Sequence, residues 1–339
     1  MTTNIIIKRT LCAFLSASGI FAALGRHRLQ RRAFVLMYHR VVDPLDQQEL
    51  HTQPGMYVTH SSFERQMLFL KKKYRILFLE ELIDCIKRNE NIGGCCAITF
   101  DDGWRDNYVH AFKILQKHHV PATVFLATAY VGTKRIFWPE ELSHYIEEPL
   151  KGHNLLLNSS SPVFRFQREI EKHAGAEKAV FLNNAIEILK GYSPGERTTV
   201  LEYYRGMSTT RELPRQMLSW QEVEEMSMSG VVTFGAHTTE HEILDQLPLS
   251  KATRAISQSK DVIEHKTGSD VGMFAYPNGN YNEDILKTVR ECGFIGAVTT
   301  KKGFLKQDTP LLEIPRIGIH EDISTTTPLF WGRILMERF

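Results

Sequence analysis

Cys95-Cys96-Ala97-Ile98-Thr99-Phe100-Asp101-Asp102-Gly103 is the stretch that decides the fold. An apolar run that reads as a buried strand ends abruptly in two adjacent carboxylates and a glycine. Like charges side by side repel. The cost is tolerable when a cation sits between them or when one carboxylate acts as a base. Asp-Asp-Gly is also good turn chemistry after a strand, so the nine residues leave both readings open.

Outward from this stretch, short apolar runs recur at Phe34 to Tyr38, Thr123 to Leu126, Val231 to Phe234, Met273 to Tyr276, Gly296 to Val298 and Leu312 to Ile319. Helical periodicity lies between most of them, at Phe63 to Lys73, Leu79 to Asn89, Tyr108 to His118, Trp220 to Met228, Ser250 to Lys266 and Glu283 to Cys292. The helix at Trp220 opens with a capping box, Ser219-Trp220-Gln221-Glu222, and Gly230 closes it. Strands alternating with helices predict a parallel sheet with right-handed crossovers, an α/β barrel. Residues 131–216 break the rhythm with helix-prone sequence at Phe166 to His173 and Glu177 to Leu189, and a link at Ser159-Ser160-Ser161. They read as a helical insertion in a rim loop, where they could cover a substrate cleft, or as a separate small domain.

With 339 residues, 42% hydrophobic and 24% charged, the chain suits one large α/β domain or two small ones. Its formal charge of +2 is unevenly placed. Residues 1–32 hold Lys8, Arg9, Arg26, Arg28, Arg31 and Arg32 with no acid; taking these six from 41 basic residues leaves 35 against 39 acidic ones, about −4. Nothing there suggests a nucleic-acid groove. The basic head flanks an apolar stretch, Leu11 to Leu24, too short to span a bilayer comfortably. It reads as a signal peptide with small residues at Ala22-Ala23, or as an interfacial helix held to anionic lipid. Five cysteines, Cys12, Cys85, Cys95, Cys96 and Cys292, make no C-x-x-C and no even framework, so thiolate zinc sites are not expected.

A second constellation follows the strand Val231 to Phe234: Gly235-Ala236-His237-Thr238-Thr239-Glu240-His241. Two histidines four apart on a helical turn present both imidazoles on one face, a spacing suited to one divalent cation. The alternative is a surface turn with two incidental histidines, in a chain holding 14 of them. Ligands at the C-terminal ends of barrel strands converge on one rim, which favours the metal reading once Asp101-Asp102 is added. A third run, Phe274-Ala275-Tyr276-Pro277-Asn278-Gly279, ends in a turn able to aim a backbone N–H into a cleft, as an oxyanion hole needs.

In this order and at these intervals, the three motifs resemble the polysaccharide deacetylases with a NodB-type domain, carbohydrate esterase family four, over roughly residues 33–320. The resemblance implies a distorted (β/α)7 barrel preceded by a targeting or membrane-interface segment at 1–32, with the helical insertion at about 131–216 and a C-terminal tail at 321–339. It implies Asp101 as catalytic base, Asp102, His237 and His241 as ligands of one divalent ion, and the Asn278 backbone N–H at the oxyanion. Zinc is the expected ion, with cobalt or nickel as alternatives. Many members carry an arginine in the third motif that orients the base; Ala275 stands there, and Arg316 in Ile314-Pro315-Arg316 is the replacement expected by sequence logic. The family's late acid histidine has only a loose match at Ile319-His320. Val35-Leu36-Met37-Tyr38-His39 resembles the opening strand of the circularly permuted branch, which acts on poly-N-acetylglucosamine-like chains, and so implies His39 as general acid, with His320 the alternative. The expected activity is metal-dependent removal of N-acetyl groups from an envelope glycan, releasing acetate. The location implied is the bacterial cell envelope, membrane-associated or exported, with no expectation for oligomeric state. A same-fold hydrolase of another small amide or ester, and a non-catalytic glycan-binding relative, are the alternatives. Trp138 and Trp220 could stack on sugar rings, although packing is the simpler role for each.

Overall fold

The structure, a computed structural model, describes residues 3–43, 45, 55–146, 159–207 and 214–336. Among the described residues ten strands are present: β1 Phe34–Tyr38, β2 Arg40–Val42, β3 Tyr57–Thr59, β4 Arg75–Ile76, β5 Cys95–Phe100, β6 Ala122–Leu126, β7 Val232–Ala236, β8 Met273–Ala275, β9 Gly296–Val298 and β10 Ile317–Gly318. Seven form a curled parallel sheet in the order β10-β1-β5-β6-β7-β8-β9, while β4 pairs with the start of β5. β2 and β3 make a separate parallel pair. A parallel bridge from Val298 to Ile314 continues the β9 edge toward the segment that leads into β10. Helices connect the strands, as an α/β barrel sequence requires.

All six residues of β5 are buried, so its side chains divide between two cores by the two-residue period of a strand. Cys96, Ile98 and Phe100 face the layer between sheet and helices, with Phe34, Leu36 and Val124. Cys95 and Ala97 face the inside of the curl with Val35, Phe125, Met273, Ala275, Val298 and Ile314. Continuing the alternation carries Thr99 and Asp101 to that inner face. From Ile314 the same step of two carries Arg316 there.

The last expected strand, Leu312 to Ile319, is reduced to Ile317–Gly318, because Pro315 lacks the N–H that a ladder needs. The described part of the expected tail, residues 321–336, is helical and packed. Thr326 caps a helix, Thr327–Leu335, whose Leu329, Phe330, Ile334 and Leu335 are buried in the main core. The apolar run Leu329-Phe330-Trp331 makes this segment part of the larger of two compact units, the one that holds the sheet. Residues 1–32 form two helices, Thr3–Ala17 and Ile20–Arg28, and they too belong to that unit.

Residues 44–54 and 135–214 form a second compact unit. It contains the helices Trp138–Tyr145, Pro162–Ile170, Lys178–Lys190 and Pro194–Met207 around a core of its own, built on Leu142, Phe166, Ile186, Leu189, Val200 and Tyr204. Ser161, of the Ser-rich link, accepts a hydrogen bond from Val163 N and so starts the second of these helices. The parts of the expected insertion at 147–158 and 208–213 lie outside the described residues.

Candidate active site

Parallel strands that enter from one end of a sheet deliver whatever follows them to the other end. β5, β7, β8 and β1 therefore present Asp101-Asp102, His237, the Pro277-Asn278-Gly279 turn and His39 at one rim.

Asp101 is 3% exposed and Arg316 is fully buried beneath it. Arg316 Nη1 and Nη2 donate to Asp101 Oδ1 and Oδ2, both at 2.7 Å, the bidentate fork that guanidinium and carboxylate geometry favours. The remaining donors are used as well: Nη1 also reaches Thr99 Oγ1 at 3.1 Å, and Nε donates to the Thr299 carbonyl at 3.0 Å. Burial pushes the Asp101 carboxyl upward, but the charge and hydrogen bonds of Arg316 outweigh it and hold the group below the usual carboxylate range. Ala275 offers no such group, and the arginine that holds this carboxylate comes from the residue just before β10.

Asp102 turns away from Asp101 because its backbone is left-handed, with φ 79°. Its Oδ2 accepts from Trp104 Nε1 at 2.9 Å, which leaves Oδ1 pointing at His237 Nε2 and His241 Nε2, each 3.5 Å away. His237 Nδ1 lies 2.7 Å from the Ala275 carbonyl; donating there turns Nε2 toward Asp102. The three donor atoms lie within 4.8 Å of one another, the one such cluster among the described residues. Burial would raise the Asp102 carboxyl, yet the hydrogen bond to His237 and the charges of the nearby histidines bring it well below the carboxylate range. Desolvation, reinforced by the charge of His237, lowers His241 to about 4, so that imidazole is neutral near pH 7 and able to ligate.

The expected helical turn between the histidines is absent. Residues 237–243 form an irregular turn in which Thr238 and His241 are left-handed, at φ 63° and 55°. The rings nevertheless meet, with centroids 4.8 Å apart at 74°. Convergence comes from tethering: His237 N bonds the Leu126 carbonyl, Ala129 N bonds the Thr239 carbonyl, and the Thr238 hydroxyl accepts from Glu242 N. Of six non-glycine residues with positive φ among the described residues, four are Asp102, Thr238, His241 and Asn278. Each such residue costs of the order of 1–3 kcal/mol, and such strain collects at functional sites.

His39 Nε2 lies 4.0 Å from Asp101 Oδ2. His320 instead bonds Asp322 within its own turn. Asn278 sits at φ 57° in the turn after β8, its side-chain amide donating to Asn280 Oδ1 and its backbone carbonyl accepting from the Thr300 hydroxyl. Trp138 carries the Arg197 guanidinium over its ring at 4.5 Å, and Lys266 lies 5.9 Å from the Trp220 ring, so both tryptophan faces have partners.

Sequence reasoning missed Trp104 and the group behind it. The Arg40 guanidinium stacks 4.4 Å from the Trp104 ring centroid, donates to Asp106 Oδ2 at 2.7 Å and to Gln216 Oε1 at 3.2 Å. Asn107, at the start of a wide π-helical turn, donates to the His39 carbonyl at 2.8 Å. The only signal in the sequence was an indole N–H placed two residues after a carboxylate.

A buried, arginine-held carboxylate next to a carboxylate and two imidazoles, on the strand-end rim of a curled parallel sheet, is the equipment of a deacetylase-type hydrolase. The chain belongs to the polysaccharide deacetylase family, whose model matches residues 88–297. His39 and Arg316 lie outside that span, so their places in the site rest on the geometry above. A poly-β-1,6-N-acetyl-D-glucosamine N-deacetylase of Staphylococcus epidermidis is 22% identical over 318 residues, covering 88% of this chain and 83% of its own. Among solved structures, IcaB from Ammonifex degensii matches with a TM-score of 0.57 at 19% identity, over 89% of this chain and 97% of that one. The Streptococcus pyogenes deacetylase PplD, solved in complex with acetate, matches with a TM-score of 0.56 at 20% identity, over 86% and 94%.

Proposed function

We propose that this protein is a metal-dependent N-deacetylase of an N-acetylglucosamine polymer in the bacterial cell envelope, of the branch that carries its acid on the Tyr38-His39 strand. The observation that carries the reading is the Arg316-clamped Asp101 standing 4.0 Å from His39 and adjacent in sequence to the donor cluster. The poly-N-acetylglucosamine deacetylase named above supports the substrate class.

The donor set fits a divalent ion: one carboxylate oxygen and two imidazole nitrogens are aimed at a common point, each fixed from behind by Trp104, Ala275 or the tethered turn. Such an ion, with zinc the first choice and cobalt or nickel alternatives, would supply the Lewis acidity that activates water and the acetyl carbonyl. Asp101 takes the proton of the attacking water, since each of its oxygens keeps a lone pair beyond its bond to Arg316. The Asn278 backbone N–H serves the carbonyl oxygen as it gains charge. His39, as imidazolium, protonates the sugar nitrogen while the C–N bond breaks, and acetate leaves. The proton taken by Asp101 returns to His39, which resets the pair.

Acetate release from N-acetylglucosamine oligomers tests the reading. It is expected to stop with chelator, to return on adding zinc, cobalt or nickel, and to fall by at least 100-fold in Asp101→Asn. Equal release after Asp101→Asn refutes the assignment of the base.

A further inference from the structure

We propose that the N-terminal helix pair is a docking surface for an anionic phospholipid bilayer, lying in the interface instead of crossing it. Thr3–Ala17 and Ile20–Arg28 meet at an angle of 80°, at a break where Gly19 is left-handed with φ 76°. No single helix among the described residues is long and apolar enough to span a membrane. The pair is anchored on one side to the catalytic unit. Cys12 and Phe21 are fully buried, the Phe21 ring lies 5.6 Å from Trp331, and Arg28 Nη1 donates to the Leu335 carbonyl at 2.7 Å. Arg9 reaches Thr325 Oγ1 at 3.3 Å, so the last helix of the chain holds the first.

The other side is apolar and open. Ile7, Leu11 and Phe14 follow one another at intervals of four and three, the spacing of one helix face. They are 58%, 46% and 64% exposed, with Ile6 beside them at 55%. Four large side chains gathered on one short helix are more than the scattered exposure of an ordinary surface. The exposed charges of the same segment are all cationic: Lys8, Arg26, Arg31 and Arg32 are exposed, and residues 1–32 contain no acid. Charge selects the occupant. A second copy packed face to face would bring the same four exposed cations toward their counterparts, whereas an anionic lipid surface complements them. An apolar helix face in a cationic segment is the composition that buries into the headgroup boundary.

Co-sedimentation of the full chain with phosphatidylcholine vesicles, with and without phosphatidylglycerol, tests this directly. Binding is expected only with phosphatidylglycerol, and high salt is expected to release it. Neutralising Arg26, Arg31 and Arg32 to Gln should weaken binding roughly 100-fold, at about fivefold per cation near the surface. Phe14→Asp should weaken it roughly tenfold. Acetate release from soluble oligomers, unchanged in both variants, shows that they are folded. Four results would overturn the proposal: no binding to anionic vesicles; equal binding to neutral ones; retention through high salt and carbonate, which marks a spanning segment; or a mature protein beginning beyond Arg28. A dimer in solution that Phe14→Asp converts to monomer would equally overturn it, assigning the face to a second copy.

Discussion

Replacing Arg316 with Met removes the charge and the fork but keeps an unbranched, apolar stem in the space beside Phe125. Two hydrogen bonds at 2.7 Å to a carboxylate that is 3% exposed are lost, along with the bonds to Thr99 and Thr299. Breaking a buried ion pair from one side leaves an uncompensated charge and costs about 3–5 kcal/mol. Asp101 can escape part of that cost by taking up a proton. In the native protein its carboxyl is held below its unfolded value, so the pair contributes stability above about pH 4, and this is lost as pH falls through the folded value. In the variant only the charges of His237 and His39 still oppose burial, and the carboxyl is expected to rise above its unfolded value. The contribution then reverses sign: stability is fully present below about pH 4 and declines as pH rises through the new folded value. Urea unfolding across pH, in chelator, measures this, and acetate release is expected to fall by at least 100-fold, with its acid limb moved to higher pH. The decisive comparison is a double-mutant cycle. Asp101→Asn should absorb most of the cost of Arg316→Met, since it removes the charge that Arg316 serves. Equal destabilisation by Arg316→Met in the wild-type and Asp101→Asn backgrounds would refute the argument, as would an unmoved acid limb.

His39→Ala should lower turnover by about 100-fold or more, while His320→Ala, whose ring bonds Asp322 in its own turn, should leave it near wild type; the reverse order of kcat values returns the acid role to His320. Trp104→Phe keeps the ring under Arg40 but removes the donor to Asp102 Oδ2, and should weaken zinc binding by about 10–100-fold in calorimetry of the apo-protein, with little change in urea midpoint. Glu222 pairs with Arg105 and Arg215 and accepts from Ser219 N; burial raises its carboxyl, but these partners lower it to about 2. Its contribution to stability is therefore present above about pH 4.3 and lost as pH falls toward 2, so Glu222→Gln should flatten the acid side of the stability profile while lowering its plateau.

Much of the frame was legible because burial on both faces leaves a plain mark. β1, β5 and β9 fall where the apolar runs Phe34 to Tyr38, Cys95 to Phe100 and Gly296 to Val298 end. The helix Trp220–Met228 begins at its capping box, with Ser219 accepting from Glu222 N. The short pair β2 and β3 escaped, since three-residue strands carry too little period to detect. The two terminal segments escaped for a different reason: Phe21 and Trp331 read singly as apolar residues near chain ends, and only their mutual packing shows that both are core.

The site divides in the same way. Asp101, Asp102, His237 and His241 were readable because Asp101-Asp102 and His237 directly follow strands, His241 lies in the turn that His237 begins, and parallel strands deliver their ends to one rim. What the sequence determined by itself was this inventory of groups and their arrival at a common place. The tertiary structure decided what each of them touches. Arg316 lies 215 residues from Asp101 in sequence and reaches it only because β10 stands beside β1, which stands beside β5. Trp104 turned one Asp102 oxygen outward and left the other to the histidines, and left-handed backbone at Thr238 and His241 did what a helical turn was expected to do. Residue type and spacing specify which atoms are available; the direction of a lone pair depends on contacts made through space, which no local pattern encodes.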